Sequence, residues 1–124
     1  GNRVNIQDGA VLHTLYQKSQ IHIGNNVTIS HNVTLHGCTI ENNSLIGIGA
    51  IILDDARVGS NSIIAAGSLV LSGQVIEQNS VYGGVPAKKL KDIEPEQSKN
   101  MIDRIANNYM MYADWYKNTD TSNL

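Results

Sequence analysis

Residues 23–45 read IGNNVT, ISHNVT, LHGCT and IENNSL, three hexapeptides and one pentapeptide that each begin with an aliphatic residue. A period of six matches neither the 3.6-residue period of an amphipathic helix nor the two-residue alternation of a hairpin strand. It predicts short strands joined by tight corners, with three strands closing a triangular coil of about 18 residues. The same spacing recurs upstream and downstream, with these anchors: Ile6, Leu12, Ile46, Ile52, Val58, Ile64, Val70, Ile76 and Tyr82.

Small or β-branched residues follow most of these anchors by four positions, and we expect them inside the coils near the corners. Asparagine and glycine tolerate the left-handed backbone angles that such corners need. Both types recur before the strands, as in IGNNVT, IENNSL and VGSNSI. We therefore predict an all-β solenoid, a parallel β-helix. The expected small interior residues are Val27, Val33, Thr39, Ser44, Ala50, Ala56, Ser62, Ser68 and Ser80.

The composition of the 124 residues narrows the function classes. Hydrophobic residues make up 41%, charged residues 16%, and the formal net charge is −2. This balance gives no electrostatic reason to expect a nucleic acid or an anionic membrane as partner. No apolar run approaches the ~18 residues of a membrane span, and no signal peptide is visible. The single cysteine, Cys38, excludes an internal disulfide framework, and we expect a cytoplasmic protein.

The repeat gives way to a different pattern after Leu90. Pro95 is suited to the first turn of a helix. Apolar side chains then recur at steps of three and four residues, which is typical of one helical face. We predict a β-helix over residues 1–90, and a helix over about 95–117 with a tail within residues 91–124. The residues of the helical face are Ile102, Ile105, Tyr109, Tyr112 and Tyr116.

The four histidines differ in their place within the repeat. His13 and His36 each follow an anchor by one residue, and they are one coil plus a short loop, around residues 14–20, apart. They are therefore expected on one face in adjacent coils, about 4.8 Å apart. His31 follows its anchor by two residues, so we expect it on the preceding face. Three outward histidines placed in this way converge only if a second subunit packs alongside. His22 is expected to be exposed and structural.

Two stretches around these histidines resemble a known family. NIQDGAVLH at 5–13 and ISHNVTLHG at 29–37 are similar to the signature stretches of the γ-class carbonic anhydrases, within the hexapeptide-repeat superfamily. GGVPAKKL at 83–90 resembles the sequence that closes the β-helix in that superfamily. The resemblance implies a left-handed β-helix and a homotrimer. It also implies three-histidine metal sites shared between subunits, carried onto His13, His31 and His36.

The resemblance also implies a chemistry. Three neutral imidazoles suit Zn²⁺ and leave one position for water, whose pKa the metal lowers to about 7. The resulting hydroxide converts CO₂ reversibly to bicarbonate. Fe²⁺ or Co²⁺ could take the same ligands. Gln7 resembles the catalytic glutamine of the family, which lies near the metal-bound solvent. The alternative role for Gln7 is a corner hydrogen bond, while Asn5 and Asp8 are expected to hold interface geometry.

Two departures from the family pattern shape the expectation. Active members have a longer, acidic loop with a proton-moving glutamate, whereas residues 14–20 contain no carboxylate. We therefore expect weak CO₂ hydration in plain buffer. GNRVN at the start reads as the remainder of a hexapeptide, and the coils that carry an arginine and an aspartate at the subunit contact do not precede it. The chain is either a fragment or a short version of the family.

Two other functions stay open at this point. The superfamily contains acyltransferases, which use a histidine as general base on an acyl-coenzyme A substrate and need no metal. A metal-binding or assembly protein with little catalysis is the other alternative, and the missing proton carrier favours it. Three histidines matching a ligand set speak against acyl transfer. Tyr109 on the predicted helix is expected to pack in the core.

Overall fold

The computed structural model of the chain describes residues 1–14 and 19–104. Fourteen short strands run through this part of the chain. The strands are β1 Asn5–Ile6, β2 Val11–His13, β3 His22–Ile23, β4 Thr28–Ile29, β5 Thr34–His36, β6 Thr39–Ile40, β7 Leu45–Ile46, β8 Ile51–Ile52, β9 Arg57–Val58, β10 Ile63–Ile64, β11 Leu69–Val70, β12 Val75–Ile76, β13 Ser80–Gly83 and β14 Lys88–Asp92.

Each strand up to β10 is hydrogen-bonded to the strand three positions later in the chain. The strands therefore form the three faces of a triangular prism. The first face consists of β1, β4, β7, β10 and β13 in parallel, with β14 antiparallel at its end. The second face consists of β2, β5, β8 and β11, and the third face of β3, β6, β9 and β12, all parallel. The predicted parallel β-helix with triangular coils is confirmed.

The interior of the prism is a stack of the predicted anchors. Each anchor up to Ile76 is the second residue of its strand, and aligned anchors pair across coils, as Ile29 does with Ile46. From Ile29 onward the anchors are buried. Ile6 and Leu12 in the first coil are 48% and 42% exposed, because no described coil lies on their other side. Burying one such aliphatic side chain contributes about 1.5–3 kcal/mol.

Asparagines turn the chain at the corner between the third and first faces. Their φ angles lie between 55° and 59°, the left-handed region that asparagine tolerates better than most residues. The side-chain amide of Asn26 donates to the Oδ1 of Asn43 in the next coil at 3.1 Å. The expectation that asparagines make these corners is confirmed. The residues that take this conformation are Asn26, Asn43, Asn61 and Asn79.

The pentapeptide shifts one interior position, so the prediction for Thr39 is wrong. Cys38 is 1% exposed and occupies the small interior position, whereas Thr39 is only half-buried. The step from Leu35 to Ile40 is one residue short, and the corner between β5 and β6 holds only two residues. The residue two before each anchor therefore points inward, as Ala56 does before Val58.

The chain reverses direction at the end of the solenoid. β14 runs antiparallel to β13, with a register shift between Val81 and Tyr82. Lys89 ties this strand to the solenoid through a salt bridge to Glu77 at 2.8 Å, and it also pairs with Asp92 of its own strand at 2.6 Å. The predicted boundary at residue 90 falls within β14, and the two-part division of the chain stays a prediction.

A helix begins at Pro95, as expected, and its described part covers residues 95–104. Ile102 of this helix and Ile93 pack on the outer side of the first face, against Leu45 and Ile63. The remaining predicted helix, with Tyr109, lies outside the described residues. No helix among the described residues is long and apolar enough to cross a membrane.

Candidate functional site

His13 and His36 form a pair on the outer side of the second face. They are register partners in β2 and β5, and each follows an interior leucine, so both project outward. Their ring centroids are 5.2 Å apart, with an angle of 61° between the ring planes. The spacing of the repeat predicted this placement on one face in adjacent coils.

His31 lies at a different place, in the corner between β4 and β5. Its side chain is half-buried, and its carbonyl oxygen accepts a hydrogen bond from the backbone N–H of Gly49 at 2.9 Å. Five residues of extended chain, which span up to about 16 Å, separate His31 from His36. Within the described part of the chain, no three His, Cys, Asp or Glu side chains are grouped to hold a metal ion. One chain therefore presents a histidine pair and a separate third histidine.

Gln7 lies in the corresponding corner one coil below His31. It is 7% exposed, and its backbone N–H donates to the carbonyl oxygen of Ile29 at 2.9 Å. The backbone N–H of Asn32 donates to the carbonyl oxygen of Asp8 at 3.1 Å, which stacks the two corners. Gln7 is thus close in the fold to His31, and it is at the opposite end of the second face from the histidine pair.

The corner after His36 is closely packed in a way that the sequence did not reveal. A β-carbon at Gly37 would overlap Ser19 and would lie 2.9 Å from Oδ1 of Asp54. The chain that returns from the loop therefore packs directly on this glycine. Oδ1 of Asp54 is buried and has no hydrogen-bond partner among the described residues. No residue larger than glycine fits beside His36 without displacing Ser19 or Asp54.

Cys38, two residues after His36, is excluded as a nucleophile. Its thiol faces the prism interior, and burial raises its pKa to about 12, with a smaller contribution from the nearby charge of Asp54. The reactive form of a cysteine is the thiolate. A thiol with this pKa remains protonated at neutral pH.

An apolar stripe lies on the same face as the histidine pair. Val11 is 52% exposed and Leu71 is 43% exposed on the outer side of the second face. Ile48 and Ile51 add to this surface from the next coil, and both are exposed. Exposed apolar side chains gathered on one face are typical of an interaction site. The histidine pair therefore lies on a face that is suited to contact with another protein surface.

Comparisons with known proteins agree with this architecture. The sequence profile described as "Bacterial transferase hexapeptide (six repeats)" matches residues 37–72. A carbonic anhydrase of Geobacillus kaustophilus is 47% identical over 117 residues, which cover 94% of this chain and 63% of that protein. The mitochondrial gamma carbonic anhydrase 1 of Arabidopsis thaliana is 39% identical over 118 residues, which cover 91% of this chain and 42% of that protein.

Among solved structures, a hexapeptide transferase family protein of Anaplasma phagocytophilum superposes with a TM-score of 0.79 at 36% identity. The match covers 94% of this chain and 67% of that protein. The chain thus spans two thirds or less of the length of these relatives. It belongs to the hexapeptide-repeat family as a γ-class carbonic anhydrase-like protein, a left-handed parallel β-helix with one C-terminal helix.

Proposed function

We propose that this chain is the subunit of a carbonic anhydrase-like metalloenzyme that reversibly hydrates CO₂ to bicarbonate. The proposed ligands are His13 and His36 of one copy and His31 of a second copy. The observation that carries the proposal is the geometry of the histidine pair, with ring centroids 5.2 Å apart on an outer face.

The spacing of the pair fits a single metal ion. Two imidazoles bound to one tetrahedral zinc through bonds of about 2.0–2.1 Å have ring centroids about 5 Å apart. The observed 5.2 Å matches that value, and the 61° between the rings differs from parallel stacking. Zn²⁺ is the metal that three neutral imidazoles favour, and Fe²⁺ or Co²⁺ could take the same site.

The third ligand is proposed to come from a neighbouring copy. His31 is in a corner at the beginning of the second face, while the pair is at its end, so one chain cannot close the site. The exposed side chains of Ile48 and Ile51 give this face the apolar surface that an interface needs. A contact between different patches of identical subunits closes into a ring, and the family resemblance makes that ring a homotrimer.

The residues of the chain divide the work of the site. A bound zinc ion would supply a Lewis acid that lowers the pKa of coordinated water to about 7. His13 and His36 hold the ion and leave it open toward the interface. Gln7 lies in the corner stacked against that of His31, and its proposed place is beside the metal once His31 of the second copy completes the site. Its side-chain amide can donate to bicarbonate and accept from the attacking solvent.

The test combines metal analysis with stopped-flow CO₂ hydration on the purified assembly. We expect one metal ion per chain and hydration that depends on it. Replacing Gln7 by Ala should lower hydration and leave the metal content unchanged. A fully metal-loaded protein without hydration in imidazole buffer would favour the non-catalytic metal-binding alternative.

Acyl transfer remains the second candidate, because the Anaplasma phagocytophilum relative is named a hexapeptide transferase. A metal-free transferase would use one histidine as general base. The close pairing of two imidazoles favours the metal instead. Turnover of acetyl-coenzyme A by metal-free protein, abolished by His36→Ala, would support the transferase.

We place the protein in the cytoplasm, where the buried thiol of Cys38 would remain reduced.

A further inference from the structure

His22 is the one histidine that the proposed metal site does not use. It lies on β3 of the third face, where it pairs with Thr39 of β6, and its side chain is exposed. Its backbone N–H donates to the carbonyl oxygen of Cys38 at 3.0 Å, which fixes its strand against the corner. His22 is therefore held at a defined place around the corner from the histidine pair.

A surface recess of about 580 Å³ is lined by His22 and by Gly37 of that corner. Gly37 directly follows His36, and the recess is also lined by the polar residues Ser19, Gln20 and Thr39. A water molecule occupies about 30 Å³ in the liquid, so the recess has room for a chain of hydrogen-bonded waters. One strand spacing and three residues separate the Cα atoms of His22 and His36, which is about 16 Å at most.

We propose that His22 carries the proton between the metal site and bulk solvent through the water in this recess. The inference rests on the proposed function, because each hydration of CO₂ releases one proton. A ring nitrogen of His22 accepts a proton from the last water of the chain, and the imidazolium returns it to a buffer base. Only N–H and O–H bonds form and break, and no co-reactant beyond the buffer is needed.

The chemistry of imidazole and the surroundings of His22 favour this role. An efficient proton carrier has a pKa near the working pH, and imidazole is the side chain with that property. Asp55 and Arg57 line the same recess, and Glu41 lines the neighbouring one. Arg57 and Glu41 are paired with each other at 2.6 Å. Among the described residues that line the recess, the carboxylate of Asp55 then remains to balance an imidazolium.

The position of His22 also compensates for the lack of a carboxylate side chain between residues 14 and 20. In the sequence His22 comes just after that loop, and in the structure it faces the recess that the loop stem borders. His22 supplies an imidazole from the adjacent strand in place of the carboxylate that the loop lacks.

Oxygen-18 exchange at chemical equilibrium separates the two proposals, since it measures CO₂–bicarbonate interconversion and proton-dependent release of labelled water independently. In His22→Ala, we expect release of labelled water without buffer to fall on the order of a hundredfold, within the range for a positioned acid–base group. Interconversion should be unchanged, and added imidazole should restore the release. Val75→Ala, an exposed position on the same face, is the matched control and should change neither rate.

A second readout does not depend on turnover. In the Co²⁺-loaded assembly, the ring protons of His22 should be broadened in the NMR spectrum relative to the Zn²⁺-loaded form. Unchanged water release in His22→Ala, or no broadening, would overturn the role of His22 and leave the hydration reaction standing. Absence of interconversion in the loaded wild-type protein would instead overturn the proposed function, and the role of His22 with it.

Discussion

The first and second faces are built from the same repeat, yet their outer sides differ. On the first face, Leu45 and Ile63 are 7% and 8% exposed, because Ile102 of the C-terminal helix and Ile93 cover them. On the second face, Ile51 and Leu71 are 39% and 43% exposed. The interior anchors are equally buried behind both faces. The difference therefore arises outside the prism, in what covers each sheet.

The contrast lies in what covers each face, and under the proposed function the bare second face is the one that another copy covers. The covered face is completed by the chain's own helix, so its outer side chains add to the core. The second face carries apolar side chains beside His13 and His36, which is the composition expected of a subunit contact that includes ligands. Covering the second face with another copy would bury the stripe and would also complete the proposed metal site.

The largest effect is expected from mixing chains with complementary defects on the second face. His31→Ala alone should weaken metal binding at least about a hundredfold, because even the loss of a ligand's supporting partner costs 10–100-fold. A chain with both His13→Ala and His36→Ala should fail similarly. Mixed and reassembled, the two should regain metal at those interfaces that bring the intact pair against an intact His31. Metal content per chain after gel filtration measures this.

Homo-assemblies of each variant, taken through the same dissociation and reassembly, are the control for the mixture. Retention of metal by a wild-type monomer in sedimentation would break the comparison, since one uncovered face would then suffice. Failure of every mixture to regain metal would contradict sharing between subunits.

Removal of an aliphatic group should affect stability more on the covered face than on the bare one. Ile63→Ala should lower the free energy of unfolding by about 2–4 kcal/mol, as is usual for a buried isoleucine, because it leaves a cavity under the helix. Ile51→Ala is the matched control at the same outward position, and in dilute protein it should cost under about 1 kcal/mol. Urea unfolding at low protein concentration measures both. Equal losses would show that the two faces are alike.

A charge on the bare face should disrupt assembly and leave the coil folded. Ile51→Asp places a carboxylate within the apolar stripe, and we expect the dissociation constant of the assembly to rise at least about tenfold, or 1.4 kcal/mol. Sedimentation velocity across a dilution series measures the change, and circular dichroism monitors the fold. Val75→Asp, on the third face, should leave assembly unchanged. Dissociation by Val75→Asp and not by Ile51→Asp would place the interface on the third face.

Sequence reasoning predicts most of what lies inside the prism. The six-residue anchors are all interior, because a face of two or three residues leaves room for only one inward side chain. The asparagines before the strands take the left-handed conformation that each corner requires, as Asn43 does. The placement of His13 opposite His36 follows from the same count.

The parts that the sequence did not predict depend on contacts between distant segments. Nothing in the sequence KKLKD over 88–92 shows whether it forms a strand that turns back along the first face or an irregular segment that leads into the helix. The packing of Ser19 on Gly37 depends on the path of a loop, which has no repeat to fix it. The recess beside His22 arises from these same elements, so composition and spacing could not reveal it.

The smallest expected effect lies at the corner where the second face passes into the third. It tests the interior position for which the six-residue spacing wrongly predicts Thr39. Cys38 points inward and Thr39 outward. The native thiol of Cys38 should therefore be almost unreactive toward a disulfide reagent at pH 7, whereas Thr39→Cys in a Cys38→Ala chain should react readily. Alanine is a fair replacement because Ala56 fills the same position one coil later.

The pH dependence of stability gives an independent check on Cys38. Burial raises the pKa of this thiol from 9.0 to about 12 in the folded chain, so the unfolded chain loses the proton first as pH rises. The contribution is fully present below pH 9 and declines as pH increases toward 12. Wild type and Cys38→Ala should then show a constant difference in unfolding free energy up to pH 9. Above pH 9 the unfolding free energy of wild type should fall relative to that of Cys38→Ala. Rapid modification of native Cys38, or a difference that stays constant to pH 11, would show that the thiol faces outward and that Thr39 holds the interior position.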